Sequence, residues 1–416
     1  MNDVIKNLEN KYIYKMKILF YCSYPTQTNG YARIGQNITN YLASFENVEL
    51  YYFGITASEN TTIHRFIHPR IKLINVFQES PSKNPYGDDL IMPKIQEIQP
   101  DVIFLYNDIM VLSRMIQQIN TIQSDMKKFK IYTYIDLVYP FENSEMISFI
   151  DKSTDKFFVF SECWKENLIE IGIHPSKIFI FHHGLDTAKI HKINQIEARQ
   201  FLGLPPNDFI ILNLNRNTHR KAIDITIQAF ILLLKKYNGN PKIKLYLTRT
   251  SESSSYPLLE ILKIECIKNG VNHDDVLKNN IVSNQRLLND NEINYLYNSC
   301  DVGINTCFGE GFGLCNMEHA SVGKPQVITK TGGLKDIFSE GHVQLIIPCS
   351  RFYNFTSLEK SGGYLEIGSA KDFADGLDYY YTNKEKCLED GKHYEKVIPI
   401  KYDWNKILKE FYENHI

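Results

Sequence analysis

Unbroken runs of β-branched, aliphatic and aromatic residues recur along this chain, separated by stretches of helical periodicity, and that alternation restricts the fold more than any other feature. Lys17 to Cys22, Val48 to Phe53, Ile71 to Phe77, Asp101 to Tyr106, Phe129 to Ile135, Lys156 to Phe160 and Ile178 to Phe181 read as strands. Their hydrophobicity is continuous rather than alternating, so both faces of the sheet must be covered. The intervals carry helical spacing, as in Ile34, Ile38, Tyr41 and Leu42. Strand and helix in regular succession predict a parallel sheet with helices on both faces.

A second series begins at Phe209 to Leu214 and continues through Ile243 to Leu247, Val302 to Asn305, Gln326 to Thr329 and Gln344 to Ile347. Helical patterns at Ile223 to Lys236 and Glu292 to Asn298 interleave with it. Between the two series Thr187 to Gln200 is polar and lacks strand character, as a linker would. A chain of 416 residues also exceeds the roughly 250 to 300 residues beyond which one core usually splits. The expectation is two Rossmann-like, doubly wound α/β domains, residues 1–186 and 187–399, facing a central cleft. Ligands of such sheets bind outside the carboxyl ends of the strands. The last stretch, Tyr402 to His415, gathers Trp404, Ile407, Leu408, Phe411 and Tyr412 on one helical face and must dock on something.

Lys+Arg 46 against Asp+Glu 48 leaves a formal charge of -2, so no global electrostatic case exists for nucleic acid. The 8 cysteines include no CxxC pair, which points to reduced thiols rather than a disulfide framework or zinc site. Met1 to Lys15 alternates charge and polarity where a secretory signal needs an apolar run. A cytoplasmic protein is expected, and no basic amphipathic helix supports membrane association.

The strongest chemical signal is Gly309-Glu310-Gly311-Phe312-Gly313-Leu314, directly after the strand Val302 to Asn305 and leading into a helix that carries Glu318. Glycines interrupted by a carboxylate form a strand-to-helix turn where backbone N–H groups can reach a ligand without Cβ interference. The helix start carries partial positive charge and free donors, which suits a diphosphate. Glu310 and Glu318 stand about 12 Å apart if the intervening steps are helical at roughly 1.5 Å each. They could then hold the two sugar rings at opposite ends of one nucleotide sugar. The plain alternative is a glycine-rich turn flanked by solvated glutamates.

A second signal follows the strand Phe209 to Leu214: Asn215-Arg216-Asn217-Thr218-His219-Arg220-Lys221. Arg grips phosphate oxygens bidentately and Lys acts as a point charge, so Arg216 and Lys221 at a strand end are placed for an anion. Read alone, the segment could equally be a solvated basic turn.

Together these segments resemble the retaining glycosyltransferases of family 4. Glu310 and Glu318 match that family's E-x7-E signature, and Ala320-Ser321-Val322-Gly323-Lys324-Pro325 and Thr331-Gly332-Gly333 fit its surroundings. The resemblance implies the two-domain GT-B architecture, with the helix of residues 400–416 crossing back onto the first domain. It implies that Glu310 contacts the donor hexose, that Glu318 binds the ribose, and that backbone groups of Gly311, Phe312, Gly313 and Leu314 cradle sugar and phosphates. Arg216 and Lys221 become the diphosphate clamps, with Arg220 a less certain neighbour. The base would be held by backbone groups near Ile281 to Ser283, which include Val282, and UDP is the expected nucleotide. No metal is expected, because fixed cations meet the leaving group.

In the first half, Pro25 to Ala32 resembles the family's first glycine loop, placing Gly30 near the donor phosphates. Many relatives carry a His-Asp pair where Ile135-Asp136 stands. Asp136 could contact a sugar or simply cap the next turn. His182-His183-Gly184-Leu185-Asp186 is similar to the family's N-G-x-D stretch, and an interdomain structural role is expected for both histidines, with His319 in the core or on the surface. The function implied is transfer of a hexose from a nucleotide sugar to a glycan or other hydroxyl acceptor. Two other readings stay open: a sugar-nucleotide epimerase or phosphorylase on the same scaffold, and a non-catalytic nucleotide-sugar or glycan-binding protein.

Overall fold

A computed structural model describes residues 14–57, 65–122, 128–248, 256–284, 288–354 and 361–416. Most of the amino-terminal stretch in which no signal was read lies outside these residues. Seven strands make the first sheet: β1 (Met16–Ser23), β2 (Val48–Ile55), β3 (Lys72–Asn75), β4 (Val102–Asp108), β5 (Lys130–Asp136), β6 (Lys156–Val159) and β7 (Ile178–Ile180). Six make the second: β8 (Phe209–Asn213), β9 (Ile243–Thr248), β10 (Ile281–Asn284), β11 (Val302–Asn305), β12 (Gln326–Thr329) and β13 (Gln344–Ile346). The orders are β3-β2-β1-β4-β5-β6-β7 and β10-β9-β8-β11-β12-β13. Every strand pair in both is parallel.

Both orders reverse direction once, between β1 and β4 and between β8 and β11, and such a switch point leaves a crevice at the carboxyl ends of the strands. Its register matters in the first sheet. Val102 pairs with Lys130 and the match continues to Asp108 beside Asp136, so two carboxylates end adjacent strands side by side.

The continuous apolar runs have the burial expected of two-sided strands. Ile18 to Cys22 and Ile103 to Leu105 are fully inaccessible. The Phe104 ring stacks on Phe20 and Phe158 at 5.1 and 5.7 Å. Each such ring buries roughly 150–250 Å². The carboxy-terminal helix Trp404–His415 completes this layer: Phe411 stacks on Phe181 at 4.3 Å and Tyr412 on Phe45 at 3.8 Å.

Three local expectations need correction. The run Ile71 to Phe77 is strand only to Asn75, because the Asn75 side chain accepts from Gln78 N–H and starts a helix at Val76. Part of the stretch read as linker is the helix Gln195–Leu202, capped by Asn194 and anchored by Arg199 on Asp301 at 2.7 Å. An antiparallel hairpin, β14 (Ser350–Tyr353) with β15 (Tyr364–Ile367), had no expectation at all. No helix among the described residues is long and apolar enough to cross a membrane.

Candidate functional site

A cleft of about 560 Å³ opens where the two switch points face each other. From the second sheet it receives Arg216, Arg220 and Lys221 after β8, and Glu310 to Asn316 after β11. From the first it receives Gly30 and Tyr31 after β1, Asp108 at the end of β4, Asp136 at the end of β5, and Tyr139 and Glu142 after it.

The basic turn is built locally. Asn213 accepts from Asn215 N–H at 3.1 Å, a 3-10 turn covers His219–Lys221, and Ala222 takes a left-handed φ of 46°. The following helix therefore starts at Ile223. This turn buries Lys221, whose Nζ pairs with Glu310 Oε2. Arg220 donates to Gly309 O at 2.7 Å and lies 3.6 Å from the other Glu310 oxygen. Burial alone would push the Glu310 carboxyl up; Lys221 and then Arg220 outweigh it and hold it down at about 2. Arg216 differs from both: it is exposed, lines the cleft and makes no ion pair among the described residues.

The glycines after β11 answer to packing as well as to ligand access. A Cβ on Gly309 would collide with Val138 O and the Tyr139 ring, and one on Gly311 with Asp136 Oδ1. Trp164 Nε1 donates to Gly311 O at 2.6 Å. Thus the loop is pressed against the opposite half of the molecule. Gly313, at φ 103°, begins the helix Leu314–Ser321 without any side-chain cap. Its first N–H groups are unclaimed by side chains, an arrangement that attracts anions. Beneath the loop Asn305 donates to Asn316 at 2.7 Å and Asn316 to Gln326 at 2.9 Å, which fixes its floor.

The first-sheet wall is acidic and aromatic. Tyr31 OH donates to Asp136 Oδ2 at 2.5 Å, while Asp136 Oδ1 is buried without a partner. Burial pushes Asp136 up to about 6 against the opposing Tyr31 bond. Glu142 Oε1 accepts from Val138 N–H and Tyr139 N–H at 2.7 and 3.0 Å, and burial pushes that carboxyl up to about 8. Asp108 caps the helix Ile109–Ile119 through Oδ1. His183 lines the cleft from below, 3.2 Å from Tyr106 OH and against the Phe312 ring at 5.0 Å. Burial pushes it well below the usual histidine range, so it is neutral and couples the two halves through packing.

Of the residues singled out in the sequence, Glu310, Arg216, Lys221, Asp136, Gly30, Gly311, Phe312, Gly313 and Leu314 all line this cleft. Glu318 and Val282 do not. Glu318 Oε1 meets Arg33 at 2.6 Å and its Oε2 accepts from Tyr297 OH at 2.9 Å, and it borders a separate small cavity. Val282 is half-buried on the edge strand β10. Ile135 is a core residue, 1% exposed, and only Asp136 emerges from that strand end. His319 is buried beside Gln326 and pushed down to about 3 by burial. Among the described residues, His342, Glu389 and Asp390 alone form a trio with metal-ligating atoms close together. Asp390 there is already paired with Lys386 at 3.4 Å and accepts from Tyr380 OH at 2.9 Å.

Sequence reasoning missed Tyr31, Asp108, Glu142 and Trp164. Asp108 had a signal, since a strand-end Asp before an apolar-periodic helix is a capping position. Glu142 had none, because its burial depends on the turn that precedes it.

Solved structures share this architecture. Anabaena HepE, determined with UDP and glucose, superposes with a TM-score of 0.68 at 16% identity, covering 96% of this chain and 98% of that one. Sucrose-phosphate synthase from Thermosynechococcus elongatus gives 0.72 at 14% identity with the same coverage. The fold is accordingly GT-B: two parallel-sheet α/β units around one cleft. In sequence, an uncharacterised glycosyltransferase of Methanocaldococcus jannaschii is 25% identical over 259 residues, 60% of this chain and 57% of that protein. A D-inositol 3-phosphate glycosyltransferase of Catenulispora acidiphila is 24% identical over 170 residues, 41% of this chain and 38% of its own length. The chain thus spans little more than half of the first relative and less of the second. Residues 208–355, which hold both the basic turn and the glycine loop, match the family described as "Glycosyl transferases group 1".

Proposed function

We propose that the cleft binds a nucleoside-diphosphate sugar and transfers its hexose, with retention of configuration, to a hydroxyl acceptor, as the retaining glycosyltransferases of family 4 do. The observation that carries this reading is the meeting of Arg216, Arg220, Lys221 and an uncapped helix start around Glu310 in one cleft. In this reading residues 187–399 are the donor side. Residues 1–186, with the helix of residues 400–416, are the acceptor side. UDP is the favoured carrier, supported by the UDP complex of HepE.

The bond from sugar C1 to the phosphate oxygen breaks, and its electron pair stays on the nucleoside diphosphate. The acceptor oxygen bonds to C1 from the same face, and its proton passes to a phosphate oxygen of the leaving group. Fixed cations aimed at developing negative charge lower such a barrier without reorganising. Arg216, Arg220, Lys221 and the helix N–H groups supply that charge, so no resident metal ion is needed in this scheme. Glu310, held ionised by two cations, accepts from hydroxyls of the hexose. Gly30 and the loop 311–314 surround sugar and phosphates.

The test is a melting-temperature screen against UDP, GDP, ADP and their sugars, followed by transfer assays with and without a chelator. A ligand at 100 times its Kd stabilises by about 2.7 kcal/mol. A UDP-sugar should raise the midpoint, transfer should survive chelation, and the product should keep the donor's anomeric configuration. No shift with any nucleotide, or an isomerised nucleotide sugar in the absence of acceptor, would overturn the reading.

A further inference from the structure

The two walls of the cleft have opposite character. All three of its lysine and arginine side chains among the described residues, Arg216, Arg220 and Lys221, come from the turn after β8. The first-sheet wall contributes Asp108, Asp136 and Glu142 with Tyr31, Tyr106 and Tyr139, and among the described residues no lysine or arginine. Each of those carboxyl groups keeps one oxygen that makes no hydrogen bond among the described residues. Asp108 caps its helix with Oδ1 alone, Glu142 binds its turn with Oε1 alone, and Asp136 has Oδ1 without a partner. Sites of this composition bind hydroxyl groups, which donate to carboxylate oxygens. A phosphate or carboxylate placed there would face the carboxylates of Asp108 and Asp136 in a poorly screened environment, while Glu142, which keeps its proton to about 8, offers a hydroxyl donor.

The same wall continues outward into an aromatic surface. Phe141 stands between the cleft residues Tyr139 and Glu142, yet it is 41% exposed and its backbone takes a left-handed φ of 56°. Bulky side chains rarely adopt that conformation, so the turn holds the ring outward against its local preference. Tyr364 meets it edge to face at 6.2 Å, and Tyr353 meets Tyr364 at 5.4 Å; all three rings are well exposed. This hairpin is tied to the acidic turn by backbone bonds, Tyr364 N–H to Pro140 O at 2.9 Å and Asn143 N–H to Ser361 O at 2.7 Å. Exposed aromatic rings continuous with a polar cleft offer the stacking surface that the apolar C–H faces of sugar rings require.

We propose that the acceptor is an uncharged oligosaccharide, whose reactive sugar lies against Asp108, Asp136 and Glu142 while a neighbouring sugar stacks on Phe141, Tyr353 and Tyr364. The assignment of the first-sheet wall to the acceptor rests on the donor reading given above. The surface itself does not.

The test uses the full chain, loaded with UDP, on an array of neutral, uronate-containing and phosphorylated saccharides of one to four residues. The wild type should bind neutral glycans of two or more sugars. The double variant Phe141→Gly with Tyr364→Ala should lose at least tenfold in affinity for them. It should keep its UDP affinity, measured by calorimetry, and its melting temperature, since glycine suits the left-handed backbone. Selective binding of charged glycans, no glycan binding by a protein that binds UDP, or unchanged glycan affinity in the double variant would overturn the proposal. Absence of UDP binding would instead overturn the donor reading, and the array on the unloaded protein would still judge the aromatic surface.

Discussion

Arg216 and Lys221 share a turn but differ in what surrounds them, and their replacement should separate catalysis from stability. Arg216 is exposed and makes no ion pair among the described residues. Arg216→Ala should therefore leave the unfolding midpoint unchanged while turnover falls at least about 100-fold, roughly 3 kcal/mol of transition-state stabilisation. Lys221 is the nearest counter-charge of a buried carboxylate. Lys221→Ala should lower turnover similarly and also destabilise by about 3 kcal/mol, the scale for stranding a buried charge. Equal effects of the two variants in chemical denaturation would contradict this contrast. Glu142 gives a pH signature. Its carboxyl keeps its proton to about 8 in the folded chain, whereas the unfolded chain releases it near the ordinary 4.5. The folded state holds more protons in between, so this residue's contribution is complete below pH 4.5 and is lost as pH rises through about 8. Glu142→Gln keeps an oxygen for the two N–H donors and should flatten the decline of melting temperature across that window.

Elements repeat the lesson that continuous apolar character is easy to read and edges are not. β11 and β12 run from Val302 to Asn305 and from Gln326 to Thr329, where the sequence reading placed them, and every residue in both is buried. β10 is an edge strand in which Ser283 and Asn284 follow two apolar residues, and Ser350 to Tyr353, exposed from Arg351 on, is half of a separate hairpin, so neither carries a two-sided pattern. The spacing read for Glu310 and Glu318 took the steps between them as helical, but the helix begins only at Leu314, and Arg33, which pairs with Glu318, comes from a segment remote in sequence. The loop between β11 and its helix shows why glycine alone fits. Gly311→Ala would push on Asp136 and on the loop that Trp164 holds. Overpacking costs typically about 1–3 kcal/mol. Gly30 has nearest Cβ contact only at 3.8 Å, so Gly30→Ala should be milder in the same thermal melt.

Across the whole molecule, the two halves meet through Arg33 with Glu318, Trp164 with Gly311, and His183 with Phe312. If the ribose of the donor takes Glu318, it competes with Arg33. Arg33→Ala should then tighten UDP binding in calorimetry, and weakened binding would place the ribose elsewhere. Such pairings were not legible in the sequence, because they depend on how two separately readable sheets are set against each other.

The chain passes between the halves twice, once after Phe181 and once near Tyr402, and these passages are stitched together: Leu185 N–H donates to Tyr402 O at 2.7 Å, and Leu185 bridges Asp403. Two cords bound side by side behave as a single pin. Any swing that widened the mouth would turn about that line, carrying the wall bearing Asp136 and the wall bearing Glu310 along one arc.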